Sequence, residues 1–216
     1  MKGAIEDTRV AINIMRARLT ILGFNLAIIT FQISNTRGLG GGTRLEGFAT
    51  TVHLSTGTVL LIGLALTIAS MMVFIASSAF DREGTCDSRI LLAGDLLMYL
   101  ALAQTVSGFF SSYERVLEVL LIPSEAEQLA LSTIQMGIAI VGSTAWALVI
   151  YVGPIVSLAR SSHTRVTKLL HTAGYFGILI CISHLWWAAQ RLEGRTTASD
   201  GSQSAWFNAF AAPLYW

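Results

Sequence analysis

The sequence predicts an all-α integral membrane protein, a bundle of four to five transmembrane helices with a protruding outer helical hairpin. Three observations carry that prediction. Mean hydropathy is +0.62. Charged residues make up only 12% of the chain, where a soluble domain averages about 25%. Five apolar stretches follow one another: Leu19–Ser34, Phe48–Phe80, Ile90–Ser112, Ser132–Ala159 and Val166–Ala189. A helix rises ~1.5 Å per residue, so ~20 apolar residues cross a ~30 Å hydrocarbon core. The last four stretches reach that length; the first is shorter and carries Asn25. Apolar and polar residues do not alternate strictly, which argues against a β-barrel.

Residues 1–18 read as a helix entering the membrane. Glu6 and Asp7 suit the positive end of its dipole. Arg9 and Arg16 are seven apart and share a helix face. Arg16 and Arg18 are expected to reach the cytoplasmic headgroups. No apolar core precedes these charges, so the segment does not read as a cleavable signal peptide. Residues 35–47 form a glycine-rich loop around Gly40-Gly41-Gly42, without the G-x-x-x-x-G-K of a phosphate loop.

The second stretch carries Thr56, Gly63, Thr67 and Ser70 on one helix stripe. Small and hydroxyl residues on a stripe let helices approach closely in lipid. The alternative is the lining of a hydrated pathway.

The third and fourth stretches read as a long hairpin. The helix is expected to continue past Tyr113 and stop before Pro123. Ser124 and Glu127 then fit a capping box for the next helix. A helix over 125–160 would be ~50 Å long, more than a bilayer core needs. The hairpin is therefore expected to protrude on the outer side, with an acidic tip of Glu114, Glu118, Glu125 and Glu127. Pro154 is expected to kink the fourth stretch. The bundle is assigned to 1–195. The remainder, 196–216, is an aromatic tail with Trp206, Phe207, Phe210, Tyr215 and Trp216, suited to a membrane interface or a neighbouring subunit.

If all five stretches span, one side collects nine of the fourteen Lys and Arg residues and the other five. The positive-inside rule then places the N-terminus in the cytoplasm and the C-terminus outside. Cys86 falls on the reducing side, and two cysteines, Cys86 and Cys181, make no disulfide framework. A net charge of +1 gives no electrostatic reason to bind nucleic acid.

No H-E-x-x-H, G-x-S-x-G or C-x-x-C occurs, so no catalytic residue and no metal site is assigned. Asp95 lies six residues past Arg89, so ~9 Å into the third stretch. An acid at that depth needs a partner or water. Arg16 and Arg18 are the first candidates as its partner, with His171 near the same leaflet. His53 and His184 lie at a matched depth toward the outer leaflet, and Gly57 sits one turn beyond His53. The leading expectation is that both histidines are structural and no cofactor binds. The alternative is ligation of haem b or a chlorophyll-type pigment, as in an electron-transfer or photosynthetic subunit. Trp186 and Trp187 beside His184 would crowd such a ring.

The run from Asp7 to Ile28 has Arg9 and Arg16 seven apart, then Gly23-Phe24 in a Leu/Ala-rich helix. It resembles the opening of the YidH-like domain-of-unknown-function family of small inner-membrane proteins. The threonine after each family arginine is replaced here by Val10 and Ala17. The resemblance covers about 25 residues. It implies an inner-membrane protein with a cytoplasmic N-terminus and implies no reaction.

Together these readings lead to a non-enzymatic membrane subunit. It would contact lipid and either copies of itself or other membrane proteins. An ion or proton pathway past Asp95 is one version of that role.

Overall fold

The structure, a computed structural model, describes residues 2–35, 53–80, 88–119 and 125–193. These form six α-helices: α1 (Lys2–Asn35), α2 (Leu54–Phe80), α3 (Arg89–Val119), α4 (Glu125–Ala147), α5 (Gly153–Arg160) and α6 (Arg165–Leu192). A π-helical segment, Leu148–Val152, joins α4 to α5. No strand occurs among the described residues. The glycine run at 40–42, Cys86, Pro123 with Ser124, and the 196–216 tail lie outside the described residues, as do the side chains of the acidic tip. Five lengths are long and apolar enough to cross a membrane: Ile12–Asn35, Leu54–Ala79, Arg89–Tyr113, Gln128–Arg160 and Arg165–Leu192.

The first of these lengths starts seven residues before Leu19, the expected start. Arg16 and Arg18 depress local hydropathy, which is why the sequence reading stopped there. The helix runs straight through them, because Arg18 finds an acidic partner within the fold.

α3 is the central helix. In its most apolar length 67% of residues are buried, against 17–33% for the other four. It packs on α1, α2, α4, α5 and α6 in turn. In lipid, helices gain little from hydrophobic transfer, so close packing and interhelical hydrogen bonds must hold them. The α2–α3 seam uses both. A Cβ on Gly94 would lie 2.7 Å from the Phe74 ring, and one on Gly108 would lie 2.5 Å from Leu60. Ser70 donates to the Gly94 carbonyl at 2.9 Å. α1 adds a stripe at three- and four-residue spacing: from residue 12 onward, where its side chains are described, Leu22, Asn25, Ile29 and Gln32 are buried. Asn25 donates to the Thr67 hydroxyl at 2.8 Å, and Thr67 donates onward to the Gly63 carbonyl at 2.7 Å. The predicted stripe of Thr56, Gly63, Thr67 and Ser70 is thus buried in the packing face of α2.

Where the sequence predicts a kink at Pro154, the structure has a π-helical segment, Leu148–Val152, between α4 and α5. Proline has no N–H for the carbonyl four residues back, and its ring crowds that carbonyl. The helix widens into the π segment just before it, and Gly153 N–H bonds to Leu148 O. The carbonyl that Pro154 cannot serve belongs to Ile150. Tyr175 on α6 donates its hydroxyl to it at 2.7 Å. Ile150 and Tyr175 sit in one core cluster with Leu96, Leu100, Trp146 and Leu179. The π segment therefore joins α3, the α4–α5 junction and α6.

Candidate functional site

One ion pair lies inside the helix assembly. Arg18 Nη2 stands 2.6 Å from Asp95 Oδ2, and the two side chains are only 17% and 9% exposed. The helical repeat explains why Arg18 is the partner and Arg16 is not. Arg18 lies four and seven residues before Leu22 and Asn25, on the stripe that faces α2 and α3. Arg16 is turned away by two residues, roughly 200°, and is exposed. The Arg18 guanidinium also sits 5.6 Å above the Phe74 ring. That contact adds cation–π attraction in a site with little water.

The pair is incompletely satisfied. Asp95 Oδ1 and Arg18 Nη1 are both buried and have no hydrogen-bond partner. A cleft of about 590 Å³ opens beside them between α1, α3 and the α5–α6 connection. Tyr99, Ser157, Arg160 and His163 line it with Arg18 and Asp95. Polar and charged side chains thus share its lining with apolar ones. Water, a small ion or a polar headgroup could occupy it. Its lining brings the early part of α1, the start of α3 and the α5–α6 turn to one end of the molecule. Arg89, Arg160, Arg165 and Lys168 belong to the same end, as the alternating passage of the helices requires.

His171 is at this end but does not meet Asp95. Its Nδ1 lies 2.8 Å from Thr167 O and its Nε2 lies 3.2 Å from Arg89 O. The ring therefore ties the start of α6 to the start of α3.

At the opposite end the two histidines proposed as cofactor ligands have unlike surroundings. His53 is buried immediately before α2. His184 is exposed on α6, its ring tilted against Trp187 at 5.5 Å. The inward positions of α6 there are Ile182, Ser183, Trp186 and Ala189. A cofactor shared by both histidines would need His184 to turn off the exposed side of its helix. A Cβ on Gly57 would meet nothing within 4 Å.

Two functional contacts at this end escaped the sequence. Glu193 follows α6 and accepts from the Ser55 backbone N–H at 2.9 Å and from its hydroxyl at 2.7 Å. An acid there satisfies an orphan donor in the first turn of α2 and suits the positive end of that helix. Arg191 lies 4.7 Å over the Trp187 ring. Ser55 and Glu193 are 138 residues apart, and neither carries a local signal for the other. Among the described residues, no three His, Cys, Asp or Glu side chains converge as a metal set.

Comparison with protein-family models, with curated proteins and with solved structures finds no match.

Proposed function

We propose that this chain is a non-catalytic subunit of the cell inner membrane that works in a homo-oligomer or a larger membrane complex. It crosses five times, with the N-terminus in the cytoplasm and the C-terminus outside. The arginine and lysine asymmetry supports that orientation. So does the clustering of α1, α3 and α5–α6 residues at the end where positive charge is concentrated. The YidH-like resemblance of residues 7–28 agrees with it.

One observation carries the assembly reading. Among the described residues, none from Gln128 to Val141 of α4 is buried. Leu129, Ile134, Met136, Ile140 and Val141 are exposed along it. Lipid can cover those side chains. Gln128, Ser132, Thr133 and Gln135 share the same length; Ser132 and Thr133 donate to the Leu129 carbonyl, and the two glutamine amides are better satisfied by another helix. α3 runs six residues past Tyr113, the end of its apolar length, to Val119. That supports a hairpin standing ~9 Å proud of the hydrocarbon. Native mass spectrometry from mild detergent tests the reading. More than one chain per particle, or a second membrane protein held with it, is expected; a lone monomer at every detergent concentration rejects it.

A second reading, an ion or proton pathway, is favoured by the cleft that leads to Asp95. Proteoliposomes with an imposed pH gradient and a pH-sensitive dye test it. Faster dissipation than in protein-free vesicles, lost in Asp95→Asn, is expected; equal rates in both refute it. The cofactor alternative is judged by a reduced-minus-oxidised visible spectrum. We expect no haem band, and a band abolished by His53→Ala would replace this reading.

A further inference from the structure

The cleft beside the Arg18–Asp95 pair carries positive charge that the pair does not cancel. Among the described residues of its lining, two arginines, Arg18 and Arg160, stand against one acid, Asp95. That acid offers a ligand little. Its side chain is buried, Oδ2 is bonded to Arg18 and Oδ1 has no open surface. Arg160 is exposed, and its guanidinium makes no ion pair among the described residues. Ser88 brings the start of α3 to the same cleft, and the positive end of that helix dipole adds to the arginines. Arg160 also closes the apolar length Gln128–Arg160, so its guanidinium can reach the level of the headgroups. Val156, about one turn earlier, and Ile14 and Ile21 of α1 line the cleft too, and all three are exposed. A ligand here meets both arginine and open aliphatic side chains.

We propose that this cleft binds the phosphate of an anionic phospholipid. Two phosphate oxygens match the planar donor fork of a guanidinium, and Arg160 is open to hold them. Basic pockets between membrane helices take such headgroups in general. A zwitterionic headgroup brings an ammonium that needs an open carboxylate, and Asp95 provides none. Free phosphate would meet Arg160 equally well but gain nothing from Ile14, Ile21 and Val156, which acyl chains cover.

The proposal rests on the membrane placement above but not on the assembly or the ion pathway, so its failure leaves those two standing. The test titrates the purified full chain in non-ionic detergent with dioleoyl-phosphatidylglycerol and counts bound lipid by native mass spectrometry. Saturable binding, about tenfold tighter than that of dioleoyl-phosphatidylcholine, is expected, the worth of one hydrogen bond to a charged group. Arg160→Gln breaks no ion pair within the chain, so its melting temperature should hold, and it should remove about that tenfold. Arg165 is exposed at the start of α6 and does not line the cleft. Arg165→Gln should therefore change binding by less than about twofold, as a solvated surface charge does. Ala17 is exposed on α1 and lines the cleft; Ala17→Phe should displace the lipid with every charge in place. Equal binding of the two lipids, or affinity indifferent to both Arg160→Gln and Ala17→Phe, overturns the proposal. So does an equal loss in Arg165→Gln, which would mean attraction to the whole basic end. Inorganic phosphate that displaces the lipid at equal concentration overturns it too, since the acyl chains would then add nothing. A chain that stays in solution without detergent would overturn the membrane placement together with this proposal.

Discussion

The α2–α3 seam and the first half of α4 are both helical, apolar and long enough to lie in a membrane, yet they are built to opposite rules. Along the seam, Gly94 and Gly108 admit Phe74 and Leu60 to distances no Cβ would tolerate. Ser70 then bonds across the seam to the Gly94 carbonyl. Along Gln128–Val141 nothing is buried, and a Cβ on Gly137 would meet nothing within 4 Å. Hydropathy does not separate the two, because lipid accepts an apolar side chain as readily as a protein interior does. What separates them is whether small and polar residues find complements inside the chain. In the seam they do, the buried Thr56 hydroxyl excepted; on α4 Ser132 and Thr133 bond only to the Leu129 carbonyl of their own helix, and the proposed assembly would cover the outward face.

The sharpest way to break the contrast is to remove the charge that ties α1 to α3. Arg18→Ala leaves Asp95 buried and unpaired, and should cost about 3 kcal/mol or prevent folding. The double variant Arg18→Met with Asp95→Leu should recover most of that loss, since a buried ion pair often contributes little over an apolar replacement. Thermal melting in detergent reads both. If the single and double variants melt alike, the pair is not what joins the two helices.

Glycine substitutions come next and set the two regions side by side. Gly94→Val forces the buried Phe74 ring aside and should destabilise by about 1–3 kcal/mol, as overpacking does. Gly137→Val should leave the melting of the isolated chain unchanged and lower the oligomeric state instead. Equal loss of stability in both would erase the distinction between seam and outward face.

A smaller effect belongs to the bend. Tyr175→Phe removes the hydroxyl that serves the Ile150 carbonyl and should cost about 1 kcal/mol or slightly more. Hydrogen exchange should quicken at the π segment, Leu148–Val152, before it does elsewhere. No change there would mean that Pro154 is accommodated without help from α6. At the far end, Glu193→Ala should cost about 1 kcal/mol, in the range of a lost helix cap, and should fray the start of α2.

Much of this was legible beforehand, and the reasons are local. Five apolar lengths, an irregularity of the helix at Pro154 and the need of Asp95 for an arginine each follow from a few neighbouring residues. The turn expected around Pro123 lies outside the described residues, between α3 and α4. The choice of Arg18 over Arg16 required knowing which face of α1 is buried, and no pattern within α1 alone decides that. Its two arginines also hid the true start of its apolar length. The contacts of Tyr175 with Ile150, Glu193 with Ser55 and His171 with the Arg89 carbonyl span 25, 138 and 82 residues. They depend on which helices become neighbours, and hydropathy carries no information about that. His53 and His184 were paired on depth alone, since rotation about a helix axis cannot be read from depth. The exposed position of His184 is set by Ser183 and Trp186 turning inward.

The central claim is that the outward half of α4 is covered by protein in the membrane. A photoreactive benzophenone side chain placed at Gly137 and activated in native membranes tests it most directly. The account predicts a cross-linked protein band, either a dimer of this chain or a discrete heavier partner. Cross-links to lipid alone, at the same photolysis yield, would contradict it.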